Sequence, residues 1–258
     1  MATSAGALYR FASPAAFYSL AGALAPWFLA LAGFLCVAGL CIGFALAPTD
    51  YQQGEAYRII YLHVPAAWMS MFIYVLMAGY AILFLSLNTR LSAMMMAALA
   101  PTGAMFTFIA LWSGALWGRP TWGAYWVWDA RLTSELILLF LYAGFLSLVS
   151  AIDDPRRADR AGALLAVVGS INVPIIYFSV KWWNTLHQGA TISVTAAPKM
   201  ASTMLTAMLL MTLACWAYAF AVVFTRVRAI VLERDRHAGW VQASVRPGGS
   251  AAAPGMQT

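Results

Sequence analysis

Residues 59–89 read IIYLHVPAAWMSMFIYVLMAGYAILFLSLNT, and this stretch contains no Asp, Glu, Lys or Arg. A helix that spans a bilayer needs about 20 predominantly apolar residues. The stretch is therefore long enough to cross a membrane once and too short to cross it twice. The whole chain agrees with this, because 63% of its 258 residues are hydrophobic and 9% are charged, whereas a soluble domain carries about 25% charged residues. The composition predicts an integral membrane protein.

Six intervals of this kind divide the chain. The charge-free intervals are 11–49, 59–89, 91–118, 136–152, 161–180 and 200–225. Each is long enough for one membrane-spanning helix. We expect these helices at about 26–47, 62–87, 94–116, 132–152, 161–180 and 201–225. The sequence thus predicts an all-α polytopic membrane protein with six transmembrane helices.

The distribution of basic residues predicts the orientation. With six spans, the two termini and the even-numbered connections share one side of the membrane. That side holds ten of the fifteen Lys and Arg residues, which are Arg10, Arg90, Arg156, Arg157, Arg160, Arg226, Arg228, Arg234, Arg236 and Arg246. Because cytoplasmic loops carry the excess of basic residues, both termini are predicted to be cytoplasmic. The net charge of +6 reflects this asymmetry and does not indicate a nucleic-acid partner.

The chain is predicted to comprise one membrane domain and one tail. The six-helix membrane domain covers residues 1–228. Residues 229–258 form a basic cytoplasmic tail that ends in RPGGSAAAPGMQT, a composition typical of disorder. The substantial outer connections are about 48–61, 117–131 and 181–200. We expect any functional site to lie in these connections or within the bundle.

The segment 117–133, WGRPTWGAYWVWDARLT, lies in the outer connection between helices three and four. Its four tryptophans are Trp117, Trp122, Trp126 and Trp128. An aromatic belt at the membrane interface accounts for one or two tryptophans at a helix end, but it accounts poorly for four interleaved with Gly118, Pro120 and Gly123. Small or rigid residues between large rings allow the backbone to lie close to a surface. The segment is therefore predicted to form a shelf of indoles for a large, flat, apolar ligand.

Two of the three histidines are predicted to lie on the outer side. His63 lies at the outer end of helix two, and His187 lies between helices five and six, whereas His237 belongs to the tail. A single histidine at a helix end is more often a hydrogen-bonded interface residue. Two on one side, each flanked by aromatic residues, indicate a pair of axial ligands for haem iron, one from each connection.

Haem carries two propionates, which require cations. The outer candidates are Arg58, Arg119, Arg131, Lys181 and Lys199. Arginine binds a carboxylate with two parallel hydrogen bonds, but each of these residues could equally be a solvated loop charge or pair with Asp50, Glu55 or Asp129. Asp129 and Arg131 could also brace the Trp-rich segment. Glu135 is expected near the start of helix four, where a carboxylate favours the helix dipole.

Features inside the membrane are interpreted as packing. Gly39 and Gly43 form a GxxxG pattern that permits close helix contact, and residues 94–96 are three methionines that suit irregular gaps. Asn172 and Pro174 are expected to mark a kink in helix five. The three cysteines, Cys36, Cys41 and Cys215, form no CxxC or CxxCH motif and predict neither a disulfide framework nor covalent haem attachment. There is no GxxxxGK[ST] motif, so any ATP dependence would come from another subunit.

Taken together, Trp117-Gly118-x-Pro120-x-Trp122-Gly123-x-x-Trp126-x-Trp128-Asp129-x-Arg131-Leu132-Thr133 resembles the tryptophan-rich "WWD" signature of haem-handling proteins in cytochrome c biogenesis. Six helices, one outer histidine at the start of helix two and another between helices five and six resemble the cytochrome c maturation protein C (CcmC) family. The resemblance extends to about Arg228.

The resemblance implies a haem chaperone of the bacterial inner membrane, multi-pass, with its site on the periplasmic side. It implies non-covalent haem b, with His63 and His187 as iron ligands. The implied platform and partner-contact surface consists of Trp117, Trp122, Trp126, Trp128, Asp129 and Arg131. The implied partners are the periplasmic haem chaperone CcmE, the ABC transporter proteins CcmA and CcmB, and the small membrane protein CcmD.

Two other functions remain open. A haem-transporting permease subunit of an ABC transporter should carry polar or histidine residues along a path inside the helices, and the sequence contains almost none. A haem electron carrier should clamp its haem between spanning helices, with histidines deep in charge-free stretches. A haem-presenting protein that is not a classical enzyme therefore remains the first hypothesis.

Overall fold

A computed structural model of the chain describes residues 13–187 and 200–245. Within these ranges the protein is helical and contains no β-strand. The α-helices are α1 (Pro14–Cys41), α2 (Ile60–Leu87), α3 (Arg90–Trp122), α4 (Ala130–Ser150), α5 (Pro155–Gly169), α6 (Asn172–Trp182), α7 (Ser202–Arg234) and α8 (Gly239–Val245). A π-helical turn, Ile42–Leu46, extends α1, and a 3₁₀ turn, Glu55–Ile59, leads into α2.

The prediction of six helices long and apolar enough to cross a membrane is confirmed. The segments long and apolar enough to span a bilayer are Pro14–Leu46, Glu55–Leu87, Arg90–Trp122, Ala130–Ser150, Pro155–Trp182 and Ser202–Arg234. Most are longer than expected, because an apolar composition marks only the hydrocarbon part of a helix. The fifth crossing is divided between α5 and α6, with a break at residues 170–171 directly before Asn172. The predicted irregularity at this position is thus confirmed.

Polar residues at the helix ends explain where the helices begin and stop. Three side chains cap helix starts: Ser13 accepts a hydrogen bond from the backbone of α1, Asp129 from α4 and Asp154 from α5. Such caps satisfy backbone N–H groups that have no partner inside the helix. At the other ends, α2 stops at Asn88 and α3 at Gly123, both in the left-handed conformation, with φ of 52° and 79°. The helices that contain the charge-free intervals therefore begin and end at specific capping residues.

Two expectations about the region between α3 and α4 are corrected. The predicted connection 117–131 is shorter than expected, because α3 continues through Trp122 and only residues 123–129 join it to α4. The expected role of Glu135 at the helix dipole is also wrong, because the first turn of α4 contains no acidic residue. Glu135 is instead buried one turn further along, where it faces α2. The position beside the helix start belongs to Asp129.

The bundle has two distinct ends. Residues 47–59, 123–129 and 183–187 lie together at one, which we call the site end, because Gln53 contacts Trp117 and Asp129 contacts Thr185. Residues 88–89, 151–154 and 235–245 lie at the other, which we call the basic end. There Arg234 forms two hydrogen bonds with Asp159, of 2.7 and 2.8 Å.

The core is made of small and flexible apolar residues. The first and last spanning helices, α1 and α7, pack most extensively against each other, and α2 packs against α3. Residues 94–96 are all buried, which agrees with their interpretation as packing residues. Gly39 lies against Met211 of α7 and Gly43 lies against the ring of Tyr61. The GxxxG pattern thus serves internal packing, and the three cysteines are free.

A buried polar network crosses the bundle below the site end. Ser70 donates to Glu135 over 2.6 Å, and the Tyr142 hydroxyl donates to the Ser70 carbonyl over 2.8 Å. Gly103 makes room for the Tyr142 ring, since a Cβ there would lie 2.2 Å from it. Asn172 donates to the Ser134 carbonyl over 2.8 Å and ties α6 to α4. These bonds link α2, α4 and α6, which carry much of the candidate site.

Candidate functional site

His63 lies in the first turn of α2 and is held by α3. Its Nδ1 is 3.0 Å from the Ala110 carbonyl oxygen and 3.2 Å from the Ser113 hydroxyl. A carbonyl oxygen only accepts hydrogen bonds, so Nδ1 carries the proton and the neutral ring keeps its lone pair on Nε2. Gly114 provides the space, since a Cβ there would lie 2.9 Å from the His63 ring. The environment thus fixes one tautomer, as is usual for metal-binding histidines.

His187 is positioned by a relay of hydrogen bonds that begins at Asp129. One oxygen of the Asp129 carboxylate accepts from the backbone N–H of Leu132 over 2.8 Å and caps α4. The other oxygen accepts from the Thr185 hydroxyl. The hydroxyl oxygen of Thr185 in turn accepts from the backbone N–H of His187 over 3.0 Å. The start of α4 therefore determines where the segment 183–187 passes.

The two histidine rings lie next to each other. Their centroids are 6.3 Å apart and their planes are inclined by 37°. Bonds between a metal and an imidazole nitrogen are about 2 Å long, so two imidazoles on opposite sides of one ion have ring centres roughly 6 Å apart. The observed separation of His63 and His187 matches this spacing. In the described part of the chain no group of three or more His, Cys, Asp or Glu side chains could hold a metal.

Two of the four tryptophans flank the histidine pair. Trp117 lies edge-on to His63 with a centroid separation of 5.7 Å, and Trp122 lies 6.1 Å from His187. Both indoles extend from the last turns of α3. The predicted shelf is thus partly helical, and its rings contact the histidines directly.

The other two tryptophans pack against each other. Trp126 and Trp128 pack edge-to-face against each other with centroids 5.3 Å apart. Trp128 is 78% exposed, whereas the indole nitrogen of Trp126 is buried without a hydrogen-bond partner in the described structure. An exposed aromatic ring such as that of Trp128, supported by a half-buried neighbour on a short connection, is a typical contact surface for another molecule.

Gln53 belongs to the site although its sequence environment did not indicate it. Its side-chain oxygen accepts a hydrogen bond from the indole nitrogen of Trp117 over 2.7 Å. Gln53 is itself held by a turn in which Asp50 accepts from its backbone over 2.8 Å. The connection between α1 and α2 thus orients the ring nearest His63. Ser113, Gly114 and Thr185 were missed for the same reason, because their roles depend on contacts between distant segments.

The candidate cations differ in how far they are already engaged. Arg58 pairs with Glu55, donates to the Gly43 carbonyl and lies 5.2 Å from the Tyr57 ring. It therefore fastens the connection 47–59 to the end of α1.

Arg119 donates to the Gly123 carbonyl and lies 5.8 Å from the Tyr125 ring, whereas Lys181 lies 5.9 Å from the Phe178 ring. Arg131 donates to the Ile176 carbonyl over 2.8 Å, and its charge acts on His63. Arg131 therefore lies close enough to His63 to act on it electrostatically. Lys199 lies outside the described residues.

Comparison with known proteins gives consistent results. The chain matches the sequence profile of the family described as "CcmC: Heme exporter protein C" over residues 7–242. It is 43% identical over 241 residues to Heme exporter protein C of Haemophilus influenzae, a match that covers 92% of this chain and 96% of the relative. The corresponding protein of Escherichia coli (strain K12) is 52% identical over 184 residues, or 71% of this chain and 75% of the relative. A putative cytochrome c biosynthesis ccmC-like mitochondrial protein of Marchantia polymorpha is 49% identical over 160 residues, or 62% of this chain and 68% of the relative.

Proposed function

The chain belongs to the Heme exporter protein C (CcmC) family, and from this premise we propose that it is a haem-binding membrane chaperone. It holds haem b non-covalently at the site end and presents it to an acceptor. The observation that carries the proposal is the pair of imidazoles, His63 and His187, with ring centres 6.3 Å apart. They come from separate connections of the bundle and converge at one end of it.

His63 and His187 are the residues that would hold the haem iron. His63 offers Nε2, because its Nδ1 is committed to the Ala110 carbonyl. The hydrogen bond at Nδ1 also makes Nε2 a better donor to the metal. Bound haem supplies the iron and a wide apolar surface, and the indoles of Trp117 and Trp122 cover the part of that surface nearest the histidines.

The propionates are held by arginines of the site end. Arg131 is the first candidate because its charge acts on His63. Arg58 and Arg119 already donate to backbone carbonyls, but a guanidinium has five N–H groups and can serve a carboxylate as well. Both therefore remain proposed contacts.

The Trp126–Trp128 pair provides the surface on which the acceptor docks. Trp128 is 78% exposed and lies on the same short connection as Asp129, which positions the His187 segment. A partner that contacts this connection can therefore influence one iron ligand. We propose that the partner is the haem chaperone CcmE and that the protein works in a complex with CcmA, CcmB and CcmD.

The membrane orientation follows from the charges. Eight arginines of the described residues lie towards the basic end, and they are Arg90, Arg156, Arg157, Arg160, Arg226, Arg228, Arg234 and Arg236. The positive-inside rule places this end in the cytoplasm. The site end then lies at the periplasmic face of a bacterial inner membrane.

An exporter permease and an electron carrier are less well supported. Histidines occur within the described helices only at His63, in the first turn of α2. A path of metal ligands through the bundle, or a haem clamped in its centre, would need further histidines there. A single haem at the site end fits presentation to an acceptor better than it fits an exporter permease or an electron carrier.

Replacement of the histidines tests the proposal. We expect His63→Ala and His187→Ala to lose most of the haem that co-purifies with the protein, measured by absorption spectroscopy and by a chemical haem assay. His237→Ala is the matched control, since this exposed histidine lies at the basic end, and it should retain wild-type haem content. Full haem content in both site variants would remove the assignment.

The acceptor step needs a separate measurement. Trp128→Ala should bind haem normally and load CcmE more slowly, because the exposed ring does not contact the histidines. Unchanged loading of CcmE by a well-expressed Trp128→Ala protein would contradict the proposed docking surface.

A further inference from the structure

Glu135 is a buried carboxyl group that forms no ion pair in the described structure. It is 5% exposed and lies five residues after Ala130, where α4 begins, which is about 8 Å along the helix. The ion pairs of the described residues involve Glu55, Asp159 and Asp235 instead. The Oε2 atom of Glu135 is buried and has no hydrogen-bond partner there. Ionisable residues inside membrane segments are rare and usually functional.

Ser70 can accommodate the Glu135 carboxyl group in either protonation state. Its Oγ lies 2.6 Å from Glu135 Oε1 and 2.8 Å from the Ala67 carbonyl oxygen. A hydroxyl group has one hydrogen, and a backbone carbonyl only accepts hydrogen bonds. Ser70 therefore donates to Glu135 when the carboxyl group is ionised. When the carboxyl group is protonated, Glu135 donates to Ser70 and Ser70 donates to Ala67. Rotation of one hydroxyl group is enough to change from one state to the other.

Arg131 is the cation that acts on Glu135. It precedes Glu135 by four residues, so both lie on one face of α4, and their charges act on each other. Its guanidinium donates to the Ile176 carbonyl of α6 over 2.8 Å. Asp129 also acts on Arg131, but its two oxygens already accept hydrogen bonds from α4 and from the segment 183–187. Glu135 is therefore the carboxyl group near Arg131 that can change its protonation state without breaking a cap.

The other titratable groups of the neighbouring helices contribute no charge beside Glu135. The titratable side chains that bridge α2 and α4 are the rings of His63, Tyr74 and Tyr142. Residues 91–118 of α3 contain no acidic, basic, His, Cys or Tyr residue. The charged residues of α5 lie in its first two turns, at the basic end. On α6, Tyr177 is 55% exposed and Lys181 lies in the last turn.

We propose that Glu135 is a proton-binding site that compensates for the charge of an acidic ligand at Arg131. Without ligand, the Glu135 carboxylate balances Arg131 across one helical turn. When a ligand carboxylate binds to Arg131, Glu135 takes up one proton from water at the site end, and the Ser70 hydroxyl group rotates. The total charge of the buried region then stays the same. The inference rests on the proposed function, because the ligand carboxylate is a haem propionate.

Proton uptake by the wild-type protein is the first test. Detergent-solubilised protein is mixed with haem or with haem dimethyl ester in a weakly buffered solution that contains a pH-indicator dye. The ester has the same ring and iron but no carboxylate. We expect the wild type to take up more protons with haem than with the ester, by up to about one proton per site. Glu135→Gln should take up equal amounts with both ligands. Glu233→Gln is the matched control, since Glu233 is exposed at the basic end, and it should behave as the wild type.

The pH dependence of haem affinity gives the same information by equilibrium measurement. Because the bound state holds an additional proton, the haem affinity of the wild type should fall as the pH rises, by up to about tenfold per pH unit. Glu135→Gln should lack this decrease. Protonation of the histidines has the opposite sign, since an imidazolium cannot bind iron and weakens binding at low pH. The two effects are therefore separable in one titration.

Infrared difference spectroscopy identifies the proton carrier directly. Haem-loaded wild-type protein should show the carbonyl stretching band of a protonated carboxylic acid. This band should be absent from Glu135→Gln and shifted in Ser70→Ala, which removes its hydrogen-bond partner. If Glu135→Gln does not accumulate, the shift in Ser70→Ala decides.

Three results overturn the proposal: no such band in the haem-loaded wild type, a band that is unchanged in both variants, or equal proton uptake by the wild type and Glu135→Gln. A band unchanged in both variants would identify a propionate as the proton carrier. Absence of haem binding by the wild type would contradict the proposed function itself, whereas haem binding without these signals contradicts only the role of Glu135.

Discussion

Gly114 offers a sensitive test of the proposed histidine pair, because it contacts the His63 ring without donating any group to it. A Cβ at this position would lie 2.9 Å from His63 Cε1 and 3.3 Å from Nδ1. Ordinary contact begins at 3.4 Å, so in Gly114→Ala the imidazole must move by about 0.5 Å or α2 and α3 must separate. The ring is not free to move, since the Ala110 carbonyl and Ser113 hold its Nδ1.

The expected magnitude follows from this conflict. Adding a methyl group to a packed site costs about 1–3 kcal/mol. If this free energy is lost from haem binding, the affinity for haem drops by about 5- to 150-fold. We therefore expect Gly114→Ala to reach the membrane as a folded protein and to bind haem at least fivefold more weakly, with an altered Soret band.

Haem titration of the detergent-solubilised protein is the assay, and Gly79→Ala is the matched control. Gly79 lies on α2, the helix of His63, and a Cβ at this position would have no neighbouring atom within 4 Å. Alanine there should leave haem affinity unchanged and stabilise the helix slightly. Wild-type affinity and spectrum in Gly114→Ala would show that the observed position of His63 is not the one that binds iron.

Three further predictions test contacts that position the site or the bundle. Thr185→Val removes the hydroxyl that joins Asp129 to the His187 backbone, so it should weaken haem binding about tenfold. Thr185→Ser keeps the hydroxyl and should bind haem normally. Equal haem affinities of the two variants would contradict the relay. Gln53→Leu leaves the Trp117 indole nitrogen without its acceptor. Indole fluorescence should then report a more mobile Trp117 ring, and the protein should retain less haem. An unchanged fluorescence spectrum would argue that Gln53 does not orient Trp117. Asp159→Asn replaces one charge of the partly buried pair with Arg234, and it should destabilise the protein by about 2 kcal/mol in a thermal denaturation assay without changing the haem affinity of the folded protein.

The sequence predicted the crossings well, because a bilayer imposes a simple rule on composition. Charge-free intervals located all six spanning segments. They did not locate the ends, because these depend on local caps such as Ser13 and Asp154. The continuation of α3 through Trp122 was missed for the related reason that Gly118 and Pro120 are usually signs of a connection.

The site was predictable as a set of residue types, but its internal contacts were not. His63 and His187 stood out because histidine is rare in this chain and both occur beside aromatic residues. The partners that hold them are separated widely in sequence: Gln53 and Trp117 lie 64 residues apart, and Asp129 and Thr185 lie 56 apart. Glu135 was misjudged in the same way, since its partner Ser70 belongs to another helix. Such pairings depend on how the helices pack, which a single sequence does not reveal.

The extensive packing of α1 against α7 has a consequence for biogenesis. The chain is inserted from its N-terminus, so the first helix enters the lipid long before its principal neighbour has been translated. Until the ribosome has produced residues 202–234, α1 has no α7 to pack against. Packing of α7 against α1 is therefore the last step in forming the bundle, and a chain interrupted after His187 would contain both proposed haem ligands but not the helix that packs against α1.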